Sequence, residues 1–480
     1  MKTTNEKYEK SFIFLFLLIF FYIFYILYTI FSLDVVLADD LIMIYSGKNI
    51  NQNFFEYIVS FVDSSTMSAR PVSGFITGTI VFLSKSNDSI YFSGLVFFPL
   101  SILTIYFVLN KILPKEIACL VILFYSVSLI GTSIQFSPIM LNSNLATIFY
   151  ALSIYFIAVK KNLVASTFLF ILSILSYEIF FIGIIINILL IKGNKNKIFY
   201  AVFTLGLIFL YRKCIQSYFL VNSYQRDSFS NVFNMDRNFK VFLWSLKIIF
   251  RDYFVAVFKS IANLWKINLF EWMMALLTSF GVFKILTYFD FNSHSKKVKK
   301  VAVVSFLGFI ISFGIFIFST YKPSLFGFEN RNLGAVRLFS TLSIICFAIY
   351  IARKSVLKKN IAVMIFSIAA FILVIANLGI KNSWIYANDF NNEVFKQIKT
   401  ELDENKIQNG TICVDFDVYN ELENNPNFIL REPVFFNNWE SNELAFRNGI
   451  DENKIRVQNL ARDQDCNYTI FIKKDKIPKE

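Results

Sequence analysis

The sequence predicts an all-α polytopic membrane protein with a small soluble α/β domain at its C-terminal end. Of the 480 residues, 56% are hydrophobic and 59 are Phe, well above the apolar share of an ordinary soluble domain. Apolar runs of about twenty residues, the length that crosses a bilayer core, recur through residues 1–380. Residues 381–480 differ: they carry a helix-like segment near 389–404 and strand-like runs at 411–416 and 468–472.

Short bursts of Lys and Arg separate the apolar runs and set the expected topology. They lie at residues 2–10, 111–115, 160–161, 192–197, 296–300 and 353–359. Because the positive-inside rule assigns all of them to the cytoplasm, the N-terminus is expected inside and the C-terminal domain outside. About eleven spans satisfy this rule: 11–31, 90–110, 117–134, 139–159, two short helices within 163–191, 198–211, 267–289, 301–320, 333–352 and 361–380.

Two long loops, residues 32–89 and 212–266, lie outside in this topology. The first contains a thirteen-residue apolar stretch at 72–84, too short to cross, which we expect to lie on the membrane surface as a helix. The second contains an amphipathic stretch at 241–258, for which we expect the same position. The multi-helix domain is therefore predicted over residues 1–380 and the soluble domain over 381–480.

Several chemistries are not expected. The five Cys residues show no metal-ligand spacing and His294 is the single histidine, so neither a metal site nor a Ser-His-Asp triad is predicted. The basic residues lie between apolar runs and not on one face with aromatic residues, which argues against a nucleic-acid partner and for contact with membrane lipids. The sequence leaves open whether Cys413 and Cys466 pair.

Asp39 and Asp40 form a carboxylate pair shortly after the first span. Adjacent carboxylates near a low-dielectric boundary repel each other, which raises at least one pKa and suits a general base. The alternative is that these acidic residues only mark the outer end of the span. Arg70, in the sequence Ser-Ala-Arg-Pro-Val, closes the same loop and could bind a phosphate through its planar guanidinium, or could simply reach a lipid headgroup.

Glu178 interrupts the long apolar stretch 163–191. A charge so deep in an apolar run is a functional hypothesis by default, and the alternative is a turn residue that faces water between two short helices. Three cations farther along, Lys322, Arg331 and Arg337, are predicted outside against the charge rule and call for an anionic partner. Lipid headgroups and a polyprenyl phosphate are the two candidates.

Taken together, these features resemble the GT-C superfamily of integral-membrane glycosyltransferases. The shared features are an acidic motif in the first outer loop, an Arg-Pro element before an interfacial helix, short paired helices and a C-terminal domain outside. Asp-Asp-Leu at 39–41, followed about thirty residues later by Arg-Pro-Val-Ser at 70–73, is most similar to the O-antigen-modifying glucosyltransferases. The similarity covers residues 1–340 in layout.

The resemblance implies that a sugar passes from a polyprenyl-phosphate donor to a cell-surface glycan or lipid-linked acceptor, on the extracytoplasmic face of a bacterial plasma membrane. It identifies no cofactor besides this donor substrate. Asp39 or Asp40 would deprotonate the acceptor hydroxyl, and Glu178 would lie near the site. The cations implied to hold the donor phosphate are Arg70, Lys322, Arg331 and Arg337.

Two other functions remain open at this point. A repeat-unit polymerase or ligase of surface polysaccharide would also use lipid-linked substrates, and it would depend on the second-loop residues Arg226, Arg237 and Arg251. A non-enzymatic flippase of lipid-linked glycans would instead need charged residues along a path through the bilayer, and the predicted spans carry few charges.

Overall fold

The apolar runs form helices in the computed structural model, which describes residues 2–37, 39–47, 50–64, 67–85, 89–219, 232–292, 295–353, 355–432, 440–462 and 465–476. Within these ranges eight helices are long and apolar enough to cross a membrane: Glu9–Ser32, Ser93–Ile112, Pro138–Lys160, Asn194–Tyr218, Leu269–Tyr288, Ser295–Phe318, Phe328–Ala352 and Leu357–Glu404. The chain is thus a mostly helical multi-pass membrane protein. The total of eleven spans remains a prediction.

The elements follow one another along the chain. The α-helices up to the second long loop are α1 (Lys2–Ser32), α2 (Asp40–Ser46), α3 (Phe54–Val62), α4 (Pro71–Ser84), α5 (Ser89–Ile112), α6 (Lys115–Ser126), α7 (Ser133–Phe136), α8 (Leu141–Tyr155), α9 (Leu163–Ser176), α10 (Ile184–Leu190) and α11 (Asn194–Leu210). Those that follow are α12 (Met235–Lys247), α13 (Tyr253–Ala262), α14 (Leu269–Tyr288), α15 (Ser295–Ser312), α16 (Gly334–Ala352), α17 (Val356–Glu404) and α18 (Glu440–Asn448).

The stretch predicted as one span at 117–134 is broken. Its helix, α6, ends at Ser126, and the chain turns through Gly131, whose φ is +71°, into the short α7. Arg337 makes the break tolerable, because its guanidinium donates to the carbonyl oxygens of Tyr125, Ser126 and Gly131 at 2.8, 3.2 and 2.9 Å. The carbonyls at the end of α6 therefore have donors although they are buried.

The stretch 163–191 forms two short helices, as predicted. The first ends at Ser176, and Tyr177 is extended, with φ and ψ of −162° and 132°. A 3-10 turn at Glu178–Gly183 then leads into α10. The predicted helix at 72–84 is α4, which begins at Pro71, where the missing N–H costs the helix nothing.

The predicted domain boundary near residue 380 is not a break in structure. Helix α17 runs without interruption over 49 residues, so the last span continues into the C-terminal domain. Lys381, which reads as the end of an apolar run, is buried in an ion pair with Glu271 of α14. Because this pair compensates the buried charge, the helix can carry a lysine through the bundle.

The C-terminal domain contains a parallel sheet of three strands, in the order β2-β1-β3. The strands are β1 (Gly410–Asp415), β2 (Ile455–Asn459) and β3 (Tyr468–Phe471). The first and third match the predicted runs, whereas β2 was not predicted. A disulfide between Cys413 of β1 and Cys466 resolves the pairing that the sequence left open.

Candidate functional site

Asp39 and Arg331 form an ion pair between residues 292 positions apart in the chain. Asp39 lies in the turn before α2, and Arg331 lies in the 3-10 turn Phe328–Leu333 that leads into α16. Their side chains are 18% and 13% exposed, so the pair is largely buried but still reaches the surface. The guanidinium also lies over the ring of Phe328 at 4.2 Å, which fixes its plane.

Glu178 binds two arginines at once. It accepts hydrogen bonds from Nε of Arg70 at 2.9 Å and from a terminal nitrogen of Arg212 at 3.1 Å. Arg212 lies in a π-helical turn, Tyr211–Ile215, at the end of the run that begins with α11. Such turns are often found at functional sites because they displace a side chain from the regular helical register.

Tyr177 joins these two sets of charges. The guanidinium of Arg70 lies over the Tyr177 ring at 4.4 Å, and the Tyr177 hydroxyl donates to Oδ1 of Asn332 at 2.5 Å. The amide of Asn332 donates in turn to Glu329 at 2.9 Å, beside Arg331. We call the connected set the arginine–carboxylate cluster: Asp39, Arg70, Tyr177, Glu178, Arg212, Glu329, Arg331 and Asn332.

The cluster contains as many carboxyl groups as guanidinium groups. Arg331 pairs with Asp39, whereas Arg70 and Arg212 share the single carboxylate of Glu178, so all three guanidinium groups already contact a carboxylate. Such an arrangement can orient hydroxyl groups and hold a base in place. It is less suited to attracting a further anion, since the cations are already engaged.

Asp40 points away from the cluster. It is 1% exposed and accepts hydrogen bonds from the Ser137 hydroxyl at 2.6 Å and from the backbone N–H of Ile139 at 3.2 Å. Burial raises the pKa of the Asp40 carboxyl to about 7, against the lowering effect of these donors. Asp40 therefore anchors the loop after α1, and Asp39 is the carboxylate of the motif that reaches the surface.

Arg337 and Lys322 also lie outside the cluster. Arg337 is fully buried, and its guanidinium donates to the backbone carbonyls at the end of α6 and to Gln135 at 3.4 Å. Lys322 is exposed and lines a separate cavity. Of the residues predicted from sequence, the structure thus brings together Asp39, Arg70, Glu178 and Arg331.

This cavity adjoins the cluster and has a volume of about 550 Å³. Its wall includes Glu329, which belongs to both. Five cations face it against two carboxyl groups, Asp252 and Glu329; the cations are Lys247, Arg251, Lys259, Lys322 and Arg431. We call it the basic cavity.

An apolar groove of about 750 Å³ lies among α6, α13, α15, α16 and α17. Its wall is aliphatic and aromatic, represented by Phe124, Tyr253, Phe313, Ile344 and Phe366. Along α17 it extends from Lys358 to Leu373, which corresponds to about 22 Å of helix.

The C-terminal domain contacts both loops that carry the pair of Asp39 and Arg331. Arg447 of α18 donates to the carbonyl oxygen of Val36 at 2.9 Å, three residues before Asp39. The N–H of Gly327, four residues before Arg331, donates to the carbonyl oxygen of Leu430 at 2.7 Å. The domain therefore holds the two loops in place.

Sequence reasoning did not identify Arg212, Asn332 or Arg447 as parts of this region. Arg212 had a usable signal, because it follows an apolar run at the end predicted to lie outside. Arg447 had no such signal in the sequence, because Val36, the residue it contacts, lies 411 positions away. Arg226 and His294 lie outside the described residues. Within the part of the chain that the structure describes, no group of three His, Cys, Asp or Glu side chains could hold a metal ion.

Comparisons with protein-family models, with curated proteins and with solved structures found no match to this chain. The family therefore rests on the short motifs alone and stays a prediction. The geometry of the cluster, the basic cavity and the apolar groove carries the functional argument.

Proposed function

We propose that the protein is a membrane glycosyltransferase that moves a sugar from a polyprenyl-phosphate donor to an acceptor hydroxyl. The observation that carries this proposal is the ion pair of Asp39 with Arg331 at the edge of the arginine–carboxylate cluster. Asp39 is the carboxylate of its motif that reaches the surface, and Arg331 orients it. A general base must lie within hydrogen-bond reach of the hydroxyl it activates, which requires such an exposed edge.

In the proposed reaction Asp39 takes the proton of the acceptor hydroxyl. The acceptor oxygen forms a bond to the anomeric carbon while the bond from that carbon to the phosphate oxygen breaks, and the electron pair leaves with the phosphate. A phosphate leaving group needs charge stabilisation more than protonation, which nearby cations supply. In this proposal the partly exposed side chains of Arg70 and Glu178 bind sugar hydroxyls, while the buried Tyr177 holds the position of Arg70.

We place this site on the extracytoplasmic face of a bacterial plasma membrane. The disulfide of Cys413 and Cys466 supports that side, since disulfides persist in oxidising compartments. The other end of α1 carries Glu9, within the burst at 2–10, and Glu9 pairs at 2.5 Å with Lys115, the last residue of the burst at 111–115. That end is therefore the cytoplasmic one by the positive-inside rule.

The test is mass spectrometry of surface glycans and lipid-linked saccharides from cells with the wild-type gene, without it, and with Asp39→Asn. We expect a sugar substituent that is present with the wild-type protein and absent in the other two strains. Asp34→Asn is the matched control, because Asp34 lies in the same loop, is exposed and has a φ of 50°, which Asn tolerates. Identical glycans in all four strains would contradict the proposal.

A repeat-unit polymerase or ligase remains the second candidate, because Arg251 lines the basic cavity. Arg237, by contrast, donates to the backbone carbonyls of Ile317, Ser319 and Tyr321, so its guanidinium is engaged. The same experiment separates the two functions. A polymerase changes the length distribution of the glycan chains, whereas the proposed transferase changes a side substituent at constant length.

A further inference from the structure

The basic cavity and the apolar groove meet on one helical segment, residues 244–259. Side chains that face the cavity are Trp244, Lys247, Arg251, Asp252, Val255 and Lys259. Side chains that face the groove are Ile248, Ile249, Tyr253 and Phe254. The segment contains the π-helical turn Ile248–Asp252 between α12 and α13, so neighbouring residues are turned toward different sides.

The charges of the cavity differ from those of the cluster. Lys247, Arg251 and Lys322 are exposed, and in the described residues none of the three forms a salt bridge. The two carboxyl groups of the wall are less available: Asp252 is buried, and Glu329 accepts from Asn332. Asp252 lies near Lys247 and Arg251, and Glu329 lies near Lys322, but an anion in the cavity would still meet three cations that no salt bridge among the described residues holds.

The groove offers the complementary surface for an apolar chain. It begins at the same helical segment and continues for about 22 Å along α17, as far as Lys358. A molecule with a charged head and a long apolar chain would place the two parts on the two sides of residues 244–259. The head would enter the open cavity and the chain the open groove.

We propose that the basic cavity binds the phosphate of a polyprenyl phosphate and that the apolar groove receives its chain. The phosphate is then recognised by Lys247, Arg251 and Lys322, and not by the arginines of the cluster. This inference rests on the proposed function for the view that this lipid is the sugar carrier. The shared wall residue Glu329 places the phosphate next to Asp39 and Arg331, where a leaving group must lie.

The test is binding, measured by native mass spectrometry on the full chain in an uncharged detergent. The probes are undecaprenyl phosphate, undecaprenol and inorganic phosphate. We expect the lipid phosphate to bind at least about tenfold more tightly than either of the others, since it alone makes both kinds of contact. Equal binding of undecaprenol would overturn the phosphate site, and equal binding of inorganic phosphate would overturn the lipid assignment.

The variant Arg251→Gln/Lys322→Gln is expected to lose at least about tenfold in affinity for the lipid phosphate, because two charge-assisted contacts are removed. Lys240→Gln is the control: Lys240 is exposed on α12 and pairs with Asp236 at 2.9 Å, away from the cavity wall. Wild-type affinity in the double variant would overturn the inference. Since both changed residues are exposed, an unchanged melting temperature should confirm that the double variant is folded.

Asp39→Asn separates this inference from the proposed function. It should bind the lipid phosphate at least as tightly as the wild type, because Asp39 does not line the cavity and its replacement removes a negative charge near the phosphate. If the wild type binds the lipid phosphate but transfers no sugar, the proposed function fails and the binding site stands. If sugar is transferred while the double variant binds normally, the binding site fails and the proposed function stands.

Discussion

Arg447 donates a hydrogen bond to the carbonyl oxygen of Val36 and pairs with Glu443 at the same time. The distances are 2.9 and 3.0 Å, and the Arg447 side chain is almost fully buried. Its other terminal nitrogen donates to Asn388 and Asn392 of α17 at 3.0 and 2.5 Å. One guanidinium thus connects α18, the long helix α17 and the loop that carries Asp39.

Arg447→Lys should therefore lower sugar transfer although residue 447 touches no substrate in the proposed reaction. The guanidinium of Arg447 uses separate nitrogen atoms to contact Val36 and the asparagines of α17. The single nitrogen of a lysine ammonium group cannot reach all of these partners, so the loop before Asp39 loses its anchor. We expect kcat to fall by about tenfold or more, with little change in the KM for the donor, because a misplaced base affects chemistry more than binding. Arg456→Lys, at an exposed position of β2, is the control. A change confined to KM would argue against a positioning role.

Asp39→Asn should reduce the rate of transfer by about a hundredfold or more, the usual loss when a general base is removed. The measurement is transfer in membranes, at equal protein amounts for wild type, Asp39→Asn and Asp34→Asn. Full activity of Asp39→Asn would exclude Asp39 as the base. Asp40→Asn should largely retain activity, because the amide oxygen of Asn can accept the same hydrogen bonds from Ser137 and Ile139 and keep the loop anchored.

Glu178→Gln should destabilise the protein, because Arg70 and Arg212 then lose their shared carboxylate. We expect a loss of about 2 kcal/mol in the free energy of unfolding, the usual scale for hydrogen bonds to a charged partner. A double-mutant cycle with Arg212→Gln checks the cause. If the two residues interact as the structure shows, the double variant should lose less than the two single variants together. Strict additivity would contradict the contact.

The pH dependence of stability should change in Asp40→Asn. Burial raises the pKa of Asp40 from its ordinary value of 3.8 to about 7, so the folded protein keeps a proton that the unfolded chain loses above its ordinary pKa. The protonated Asp40 carboxyl is therefore favoured in the folded state. The stability that this preference provides is fully present below about pH 4 and is lost as the pH rises toward 7. The melting temperature of the wild type should therefore fall across this window, and that of Asp40→Asn should fall less.

Glu432 acts in the same direction, because burial also raises its pKa to about 7. Melting curves of Glu432→Gln and of the double variant with Asp40→Asn separate the two contributions. The control is Asp34→Asn, which should keep the slope of the wild type because Asp34 is exposed. An unchanged slope in Asp40→Asn would show that Asp40 does not hold the proton.

The convergence of Asp39, Arg70, Glu178 and Arg331 could be predicted from the sequence because each lies where an apolar run ends or breaks. The Lys and Arg bursts assign all these breaks to one side of the membrane, so the residues had to share one end of the bundle. Whether their side chains are in contact depends on the conformation of the loops, which the patterns of hydropathy and charge do not determine.

The roles of neighbouring or similar residues could not be separated in this way. Asp39 and Asp40 are adjacent in a charge pattern, but one precedes α2 and the other begins it, so their side chains point in different directions. Arg331 and Arg337 both look like cations near a helix start, yet only the second faces the core. The break after Ser126 was missed because Arg337, whose guanidinium supplies donors to the carbonyls there, is 211 residues away.

Because α17 is unbroken, a movement of its membrane-spanning part is transmitted directly to the C-terminal domain. At 49 residues the helix is about 74 Å long, so a tilt of about 5° at its first turn would carry its far end through about 6 Å. Such a displacement exceeds the reach of the hydrogen bond between Arg447 and Val36. Any tilt of α17 would therefore weaken the contact between the C-terminal domain and the loop before Asp39, and spin-label distances between α17 and that loop, with and without polyprenyl phosphate, would measure such a tilt.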